Sequence, residues 1–322
     1  MGKLYYLGVD VSKENIVCYD GKREFCFKNE RGLKEFKRFL ESRYKTLERI
    51  VLIFEATGVY SAFLREFCAT NHIKAVVLNP RQTPNLAKVL GGRSKSDAID
   101  ARMLYRFKDL VKAEEIKVPE VDRELEEICA YFTSYRLILR QRVALNNHLK
   151  AMAHNPFAPE ELKRELEKQV LRLREQERWL MEEMERRMRV KEELEKDLEL
   201  LLSIDGIGMA TAIVLLLLFK RYGVRRRNQV VALLGLDPVL RESGKSVRSR
   251  SRISKQGKEV TRSILYLAAM SGIRCNCRLK EFYERLVARG KPKKVALIAC
   301  ARKLALIAFA VYKTKTEFDP GK

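Results

Sequence analysis

The chain has 322 residues, of which 46% are hydrophobic and 33% charged, enough for two or three domains with cores of their own and too apolar for a disordered tail. Lys and Arg number 65 against 42 Asp and Glu, a net charge of +23 that exceeds what solubility needs and points to a polyanionic partner, nucleic acid ahead of an anionic membrane surface. Seven scattered cysteines exclude a paired disulfide framework, and three histidines (His72, His148, His154) leave little material for a His-based zinc site or a Ser-His-Asp triad.

In chain order, Leu4 to Val11 reads as a buried strand, and Asn15 to Asp20 and Arg23 to Lys28 as two short, partly alternating strands joined at Gly21, a three-strand meander. Apolar residues at 33, 36 and 40 predict an amphipathic helix from Gly32 to Tyr44. A buried strand at Ile50 to Glu55, a helix from Gly58 to Ala69, a strand at Ile73 to Leu78 and a helical turn from Pro80 onward complete the order β-β-β-α-β-α-β-α. That is the order of a ribonuclease H-like α/β domain with a mixed sheet. The N-terminus starts at once in this strand pattern without a signal layout, and the most apolar stretch, Ala210 to Phe219, falls well short of the ~20 residues of a membrane span. The expectation is a cytoplasmic protein with no membrane partner.

Asp10 and Glu55 interrupt or end strands that are otherwise apolar, where a charge is costly unless it is paired or binds a cation. A glycine-rich basic turn from Gly91 then runs into a helical stretch carrying Asp97 and Asp100, which are three apart and share a helix face. An isolated Asp-x-x-Asp is more often a solvated helix start. With the two strand acids it makes four carboxylates that can converge on one end of the sheet, a set suited to magnesium and phosphoryl transfer. Arg93, Lys95 and Arg102 flank the pair and are expected to meet nucleic-acid phosphates.

From about residue 115 the texture changes. Glu114 to Lys150 reads as a long helix, and Glu160 to Leu202, free of Gly and Pro, as another, with apolar positions at 162, 166, 170, 173, 180 and 184. This is a helical hairpin or coiled coil, expected to serve as a dimerising or domain-positioning arm; the blander alternative is an intramolecular antiparallel spacer. Next, Leu202 to Ala212 places Gly206 and Gly208 in a tight turn between helices, a helix-hairpin-helix pattern whose backbone amides can hold a phosphate.

Between Lys220 and Arg262 stand thirteen Lys or Arg and three acids, a net +10, with Ser243-Gly244 and Gly257 and little apolar content. The expected phosphate contacts here are Arg225, Arg226, Arg227, Lys245, Arg248, Arg250, Arg252 and Lys255, on a loop laid over nucleic acid. Five serines (243, 246, 249, 251, 254) lie among these charges, any of which needs activation to act as a nucleophile. Apolar helices at Arg262 to Arg274 and Pro292 to Tyr312 supply the supporting core.

These residues resemble the DEDD-type insertion-sequence transposases, the "one-ten" family. The resemblance rests on Gly8-Val-Asp10-Val-Ser-Lys, Phe54-Glu55-Ala-Thr-Gly-Val-Tyr60, Asn79-Pro-Arg, Ser94-Lys-Ser-Asp97-Ala-Ile-Asp100-Ala-Arg102, Leu233-Leu-Gly-Leu-Asp-Pro238, Arg241-Glu-Ser243-Gly-Lys and Arg252-Ile-Ser-Lys-Gln-Gly257. It is weakest over residues 115 to 200. It implies a RuvC-like domain at residues 1–112, a helical arm at 113–200 and a transposase domain at 201–322. It further implies Asp10, Glu55, Asp97 and Asp100 as a metal-binding catalytic tetrad and Ser243 as a recombinase nucleophile. Lys258 and Glu259 stand where the family usually has Asn or a basic residue. The partners it implies are donor and target DNA, a structured non-coding guide RNA (the bridge RNA) and further copies of the chain, as a dimer or tetramer in which Ser243 of one protomer meets the tetrad of another. A structure-specific endonuclease with water as nucleophile and a non-catalytic nucleic-acid-binding protein are the alternatives.

Overall fold

The computed structural model describes residues 4–56, 58–80, 83, 101–239, 242–243, 247–248, 252–257 and 259–319. The chain forms two compact units, Met1–Asp122 and Arg123–Lys322.

In the first unit the apolar runs become a five-stranded mixed sheet: β1 (Tyr5–Val11), β2 (Asn15–Tyr19), β3 (Glu24–Lys28), β4 (Ile50–Glu55) and β5 (Lys74–Leu78), in the spatial order β3-β2-β1-β4-β5. The first three strands pair antiparallel as a meander, while β4 runs parallel to both β1 and β5. Helices α1 (Leu33–Tyr44) and α2 (Ala62–Thr70) enter the chain between strands. Phe36, Leu40, Leu64 and Phe67 share a core with Leu7, Val9, Ile50, Leu52 and Phe54 from one face of the sheet. Gly58 to Ser61, expected as helix, is a turn in which Gly58 takes φ 68° and the Ser61 hydroxyl donates to the Gly58 carbonyl at 3.2 Å. The opposite face is covered by α3, described over Ala101–Arg106, with Leu104 and Phe107 against Val51, Ile53 and Val76.

The second unit is helical but for one small β element. Helices α4 (Arg123–Met152) and α5 (Glu160–Val190) run antiparallel, as their cross-links require: Arg142 binds Glu177 at 2.6 Å, Arg187 binds Glu127, and Tyr131 packs on Trp179. The arm is thus paired within one chain. Leu162, expected in its seam, is 47% exposed, whereas Val170, Leu180, Met184 and Met188 are buried. The single long helix expected from Glu160 to Leu202 is broken, because Lys191 is extended and α6 (Glu192–Leu202) starts afresh. Three glutamates in the first turn of α6 favour a new start against its macrodipole.

After a turn come α7 (Met209–Arg221) and α8 (Arg227–Leu234), then α9 (Glu259–Cys275), α10 (Cys277–Ala288) and α11 (Lys293–Thr314). Helix α10 was not expected from the sequence; its mostly polar surface buries only Leu279 fully. Helix α11 is the apolar helix expected over Pro292 to Tyr312, and its 22 residues, unlike the shorter Ala210 to Phe219 stretch, are long and apolar enough to cross a membrane by length and composition. Half of its apolar window is buried in the core, where Leu297, Cys300, Leu304, Ala308 and Phe309 meet residues of α7 such as Phe219. Below it, the 1%-exposed Asp197 of α6 is bridged by Lys220 (3.0 Å) and by Lys315, and the Phe318 amide donates to Ser203, which pins the C-terminal end of α11 to α6. All seven cysteines are free thiols.

Candidate active site: a carboxylate pair and a basic hairpin

Strand register sets the candidate site of the first unit. Val9 of β1 pairs with Phe54 of β4 in a parallel ladder, so the next residues along that register are Asp10 and Glu55. Side chains alternate across a strand, and Leu7, Val9, Val11, Leu52 and Phe54 all point into the core beneath α1 and α2. Asp10 and Glu55 therefore stand side by side on the other face, the one α3 covers. Adjacent strands lie about 4.8 Å apart. Both residues are half-buried, and Oε1 of Glu55 is buried with no hydrogen-bond partner among the described residues.

Two carboxylates so placed repel each other, and an unpartnered buried oxygen is costly. Both penalties are relieved by a cation, so the chemistry of this donor pair fits a hard divalent metal. Asp97 and Asp100 lie outside the described residues, as do Arg93 and Lys95. Among the described residues no group of three or more His, Cys, Asp or Glu could hold a metal ion.

Gly8 explains how α3 approaches this pair. A Cβ there would lie 2.0 Å from the Ala101 carbonyl oxygen and 2.3 Å from the Tyr105 amide nitrogen, so the helix rests directly on the β1 backbone. Only glycine permits that contact, two residues before Asp10. Arg102 is not simply a phosphate ligand in waiting: its Nε donates to Glu24 Oε1 at 2.6 Å and its guanidinium sits 5.8 Å above the Tyr19 ring. The side chain is nonetheless 64% exposed.

The helical unit carries a separate candidate site. In the turn before α7, Gly206 (φ 94°) faces α9, where an added Cβ would lie 2.5 Å from the Cα of Gly272. Its missing side chain serves helix packing. Gly208 faces open space and caps α7, so the turn can be approached from that side. Arg225, Arg226 and Arg227 are exposed at the start of α8, where the Gln229 side chain accepts from the amides of Arg225 (2.9 Å) and Arg226 (3.0 Å).

The basic run expected as a loop is a two-tier β-hairpin. Its root pairs β6 (Pro238–Val239) with β9 (Arg252–Ile253), and above it β7 (Glu242–Ser243) pairs with β8 (Val247–Arg248), with Ser243 opposite Val247. Lys245 and Arg250 lie outside the described residues, and of Ser243 and Arg248 only the strand position is described. Arg252 and Lys255 are exposed on the returning limb.

The root is locked by contacts the sequence did not disclose. Gly235 is left-handed (φ 63°) and abuts the Gln256 and Gly257 amides, while a Cβ on Gly257 would lie 2.1 Å from the Leu233 carbonyl oxygen. Ser254 donates its hydroxyl to the Asp237 carboxylate and its amide to the Asp237 carbonyl at 2.9 Å. The Arg262 guanidinium donates to the carbonyls of Gly257 (2.6 Å) and Leu234 (3.4 Å), tying both limbs to α9. Ser254 is thereby committed to structure.

Two family profiles match the chain. Residues 198–284 match the profile of the transposase IS116/IS110/IS902 family, and residues 7–157 match the DEDD-type IS110 transposase profile. The chain is similar to the pilin gene-inverting proteins of Moraxella bovis and Moraxella lacunata, each 25% identical over 98% of this chain and 97% of the relative. The N-terminal profile spans the sheet with Asp10 and Glu55, and the other spans the basic hairpin and its root. The chain belongs to the IS110 family of transposases.

Proposed function

We propose that this transposase cuts and rejoins DNA through a covalent phosphoserine link, using magnesium held in a ribonuclease H-like domain and guided by a structured RNA. The observation that carries the reading is that Asp10 and Glu55 directly follow the last β1–β4 pair, Val9 with Phe54, and that one Glu55 oxygen is buried without a hydrogen-bond partner among the described residues. The β3-β2-β1-β4-β5 order, with three antiparallel strands followed by two parallel ones, supports the ribonuclease H-like assignment. Asp97 and Asp100 precede α3, the helix laid on the Asp10 face, and would complete the ligand set.

When bound, magnesium would polarise the scissile phosphate and offset its negative charge. Asp10 and Glu55 would hold that ion at the strand ends. The Ser243 hydroxyl gives up its proton and forms a P–O bond as the bond from phosphorus to the departing deoxyribose oxygen breaks; that oxygen takes up a proton. Arg252 and Lys255 supply positive charge as negative charge spreads over the phosphoryl oxygens. Attack by a free hydroxyl of the exchanged strand then releases Ser243, so the phosphodiester bond energy is conserved. The relatives' printed name, pilin gene-inverting protein, describes a rearrangement that needs rejoining as well as cutting, so hydrolysis alone would be insufficient.

The test is supercoiled DNA incubated with the full chain, Mg2+ and a candidate RNA transcribed from sequence flanking the gene. A protein–DNA adduct that disappears in Ser243→Ala and in Asp10→Asn is the expected result. Free cut ends that persist in Ser243→Ala would identify an endonuclease instead, and binding without cleavage a nucleic-acid-binding protein.

A further inference from the structure

We propose that Asn29 is a positioning residue for the Asp10–Glu55 pair, its carboxamide holding together the loops that leave the two acid-bearing strands. Asn29 follows β3 at the end of the sheet where β1 and β4 terminate, and it is only 8% exposed. Its Nδ2 donates to the carbonyl of Ser12 at 2.8 Å and to the carbonyl of Tyr60 at 3.1 Å. Ser12 lies two residues after Asp10, and Tyr60 lies five after Glu55, in the turn that opens at Gly58.

The other polar groups of Asn29 fix the clamp itself. Oδ1 accepts from the Glu30 amide at 3.0 Å, where Glu30 adopts φ 63°, and the Asn29 amide donates to the Glu14 carbonyl at 2.8 Å. A carboxamide presents two N–H donors and an acceptor in one plane, and here all are used. Aspartate would turn acceptors toward two carbonyls; serine has a single donor. The amide joins two carbonyls from loops otherwise separated by three strands and a helix of chain.

Two like charges held side by side move apart unless the backbone beneath them is fixed. The ladder fixes the strands, but each acid sits at or near its strand's last residue, so the loops beyond decide how far the carboxylates splay. Groups that orient metal ligands from behind typically change metal affinity by ~10–100-fold when removed. Asn29 acts in that way from the backbone side, through Ser12 and Tyr60. This rests on the reading of Asp10 and Glu55 as cation ligands.

The experiment is Mn2+ binding to the full chain by titration calorimetry, alongside the Mg2+ dependence of DNA cleavage, in wild type, Asn29→Ala, Asn29→Gln and Asp10→Asn. Asn29→Ala is expected to weaken Mn2+ binding and raise the Mg2+ midpoint by ~10–100-fold. Asn29→Gln keeps both donors on a stem too long to reach both carbonyls, and is expected to fold and to weaken Mn2+ in the same direction. By reciprocity, Mn2+ should slow amide hydrogen exchange at residues 12–15 and 58–61 of the wild type. A folded Asn29 variant with a lowered Tm but wild-type Mn2+ affinity, or exchange at both loops indifferent to Mn2+, would overturn the assignment. If instead Asp10→Asn binds Mn2+ as the wild type does, the cation-site reading itself fails, an outcome distinct from loss of the Asn29 role alone.

Discussion

The carboxylate pair and the serine hairpin are held in place by different means. Asp10 and Glu55 belong to a five-stranded sheet in which β4 is buried over five of its six residues and the middle of β1 is buried beside it. Ser243 sits on two-residue strands raised from the helical unit, fixed by a glycine contact, Asp237, Ser254 and Arg262. A site built into a core shares the stability of that core, whereas a site on a rooted hairpin can be displaced while the core stays folded. Damage near the acids should therefore appear in stability and activity together, and damage at the hairpin root in activity first.

Gly8→Ala puts a Cβ against the α3 backbone, which no rotamer change can relieve. It is expected to lower the unfolding free energy by more than ~3 kcal/mol and to abolish cleavage, read by denaturant titration and the supercoiled-DNA assay. Near-native stability would break the comparison at its stronger end. Gly257→Ala makes an equally close overlap with Leu233, but at the hairpin root. Its expected signature is a ~100-fold loss of cleavage with a stability change of only ~1 kcal/mol, since a small misplacement of a reacting group costs far more in rate than in folding. Global unfolding in that variant would show that the root is part of the core.

Asp20 offers a smaller test on the sheet side. Burial pushes its carboxyl up, but the amides of Arg23 and Lys22 and the Arg43 guanidinium outweigh this and hold it below the usual carboxylate range. A lowered folded value means the stabilisation is complete above the unfolded Asp pKa of about 3.9 and is lost as pH falls through the folded value. Asp20→Asn should therefore cost about 1 kcal/mol at pH 7 and converge with wild type as pH falls through the lowered folded value. A constant difference across that range would mean that packing, and not charge, is responsible. Finally, burial pushes up the thiols of Cys18 and Cys68, and that of Cys300 to about 11, while Cys26, Cys275 and Cys277 are exposed. A thiol reagent at neutral pH should label those three exposed cysteines quickly and the buried three only on unfolding; early labelling of Cys18 or Cys68 would show the sheet unit opening on its own.

Much of this was legible in the residues. The strand pattern around Asp10 and Glu55 was readable because a carboxylate interrupts the continuous apolar run that burial on both faces otherwise enforces. The run from Leu233 to Gly257 announced itself by charge and glycine, but not as a hairpin, since strands of two residues carry no periodicity to read. The break at Lys191 was equally silent: no Gly or Pro marks it, and the new start follows from how α6 packs beneath α7. Asn29 went unremarked because an asparagine after a strand is an ordinary turn residue until its partners are known.

What the linear chain determined was the alternation of strands and helices, the anion-seeking charge and which residue types were available for phosphoryl chemistry, because local periodicity and composition are properties of neighbours. Only the tertiary structure decided that Asp10 and Glu55 share one face in register, that Gly8 and Gly257 exist to let backbone touch backbone, and that Asn29 joins two loops. Those depend on residues far apart in sequence meeting at a few ångströms, and no local pattern encodes a distance of that kind.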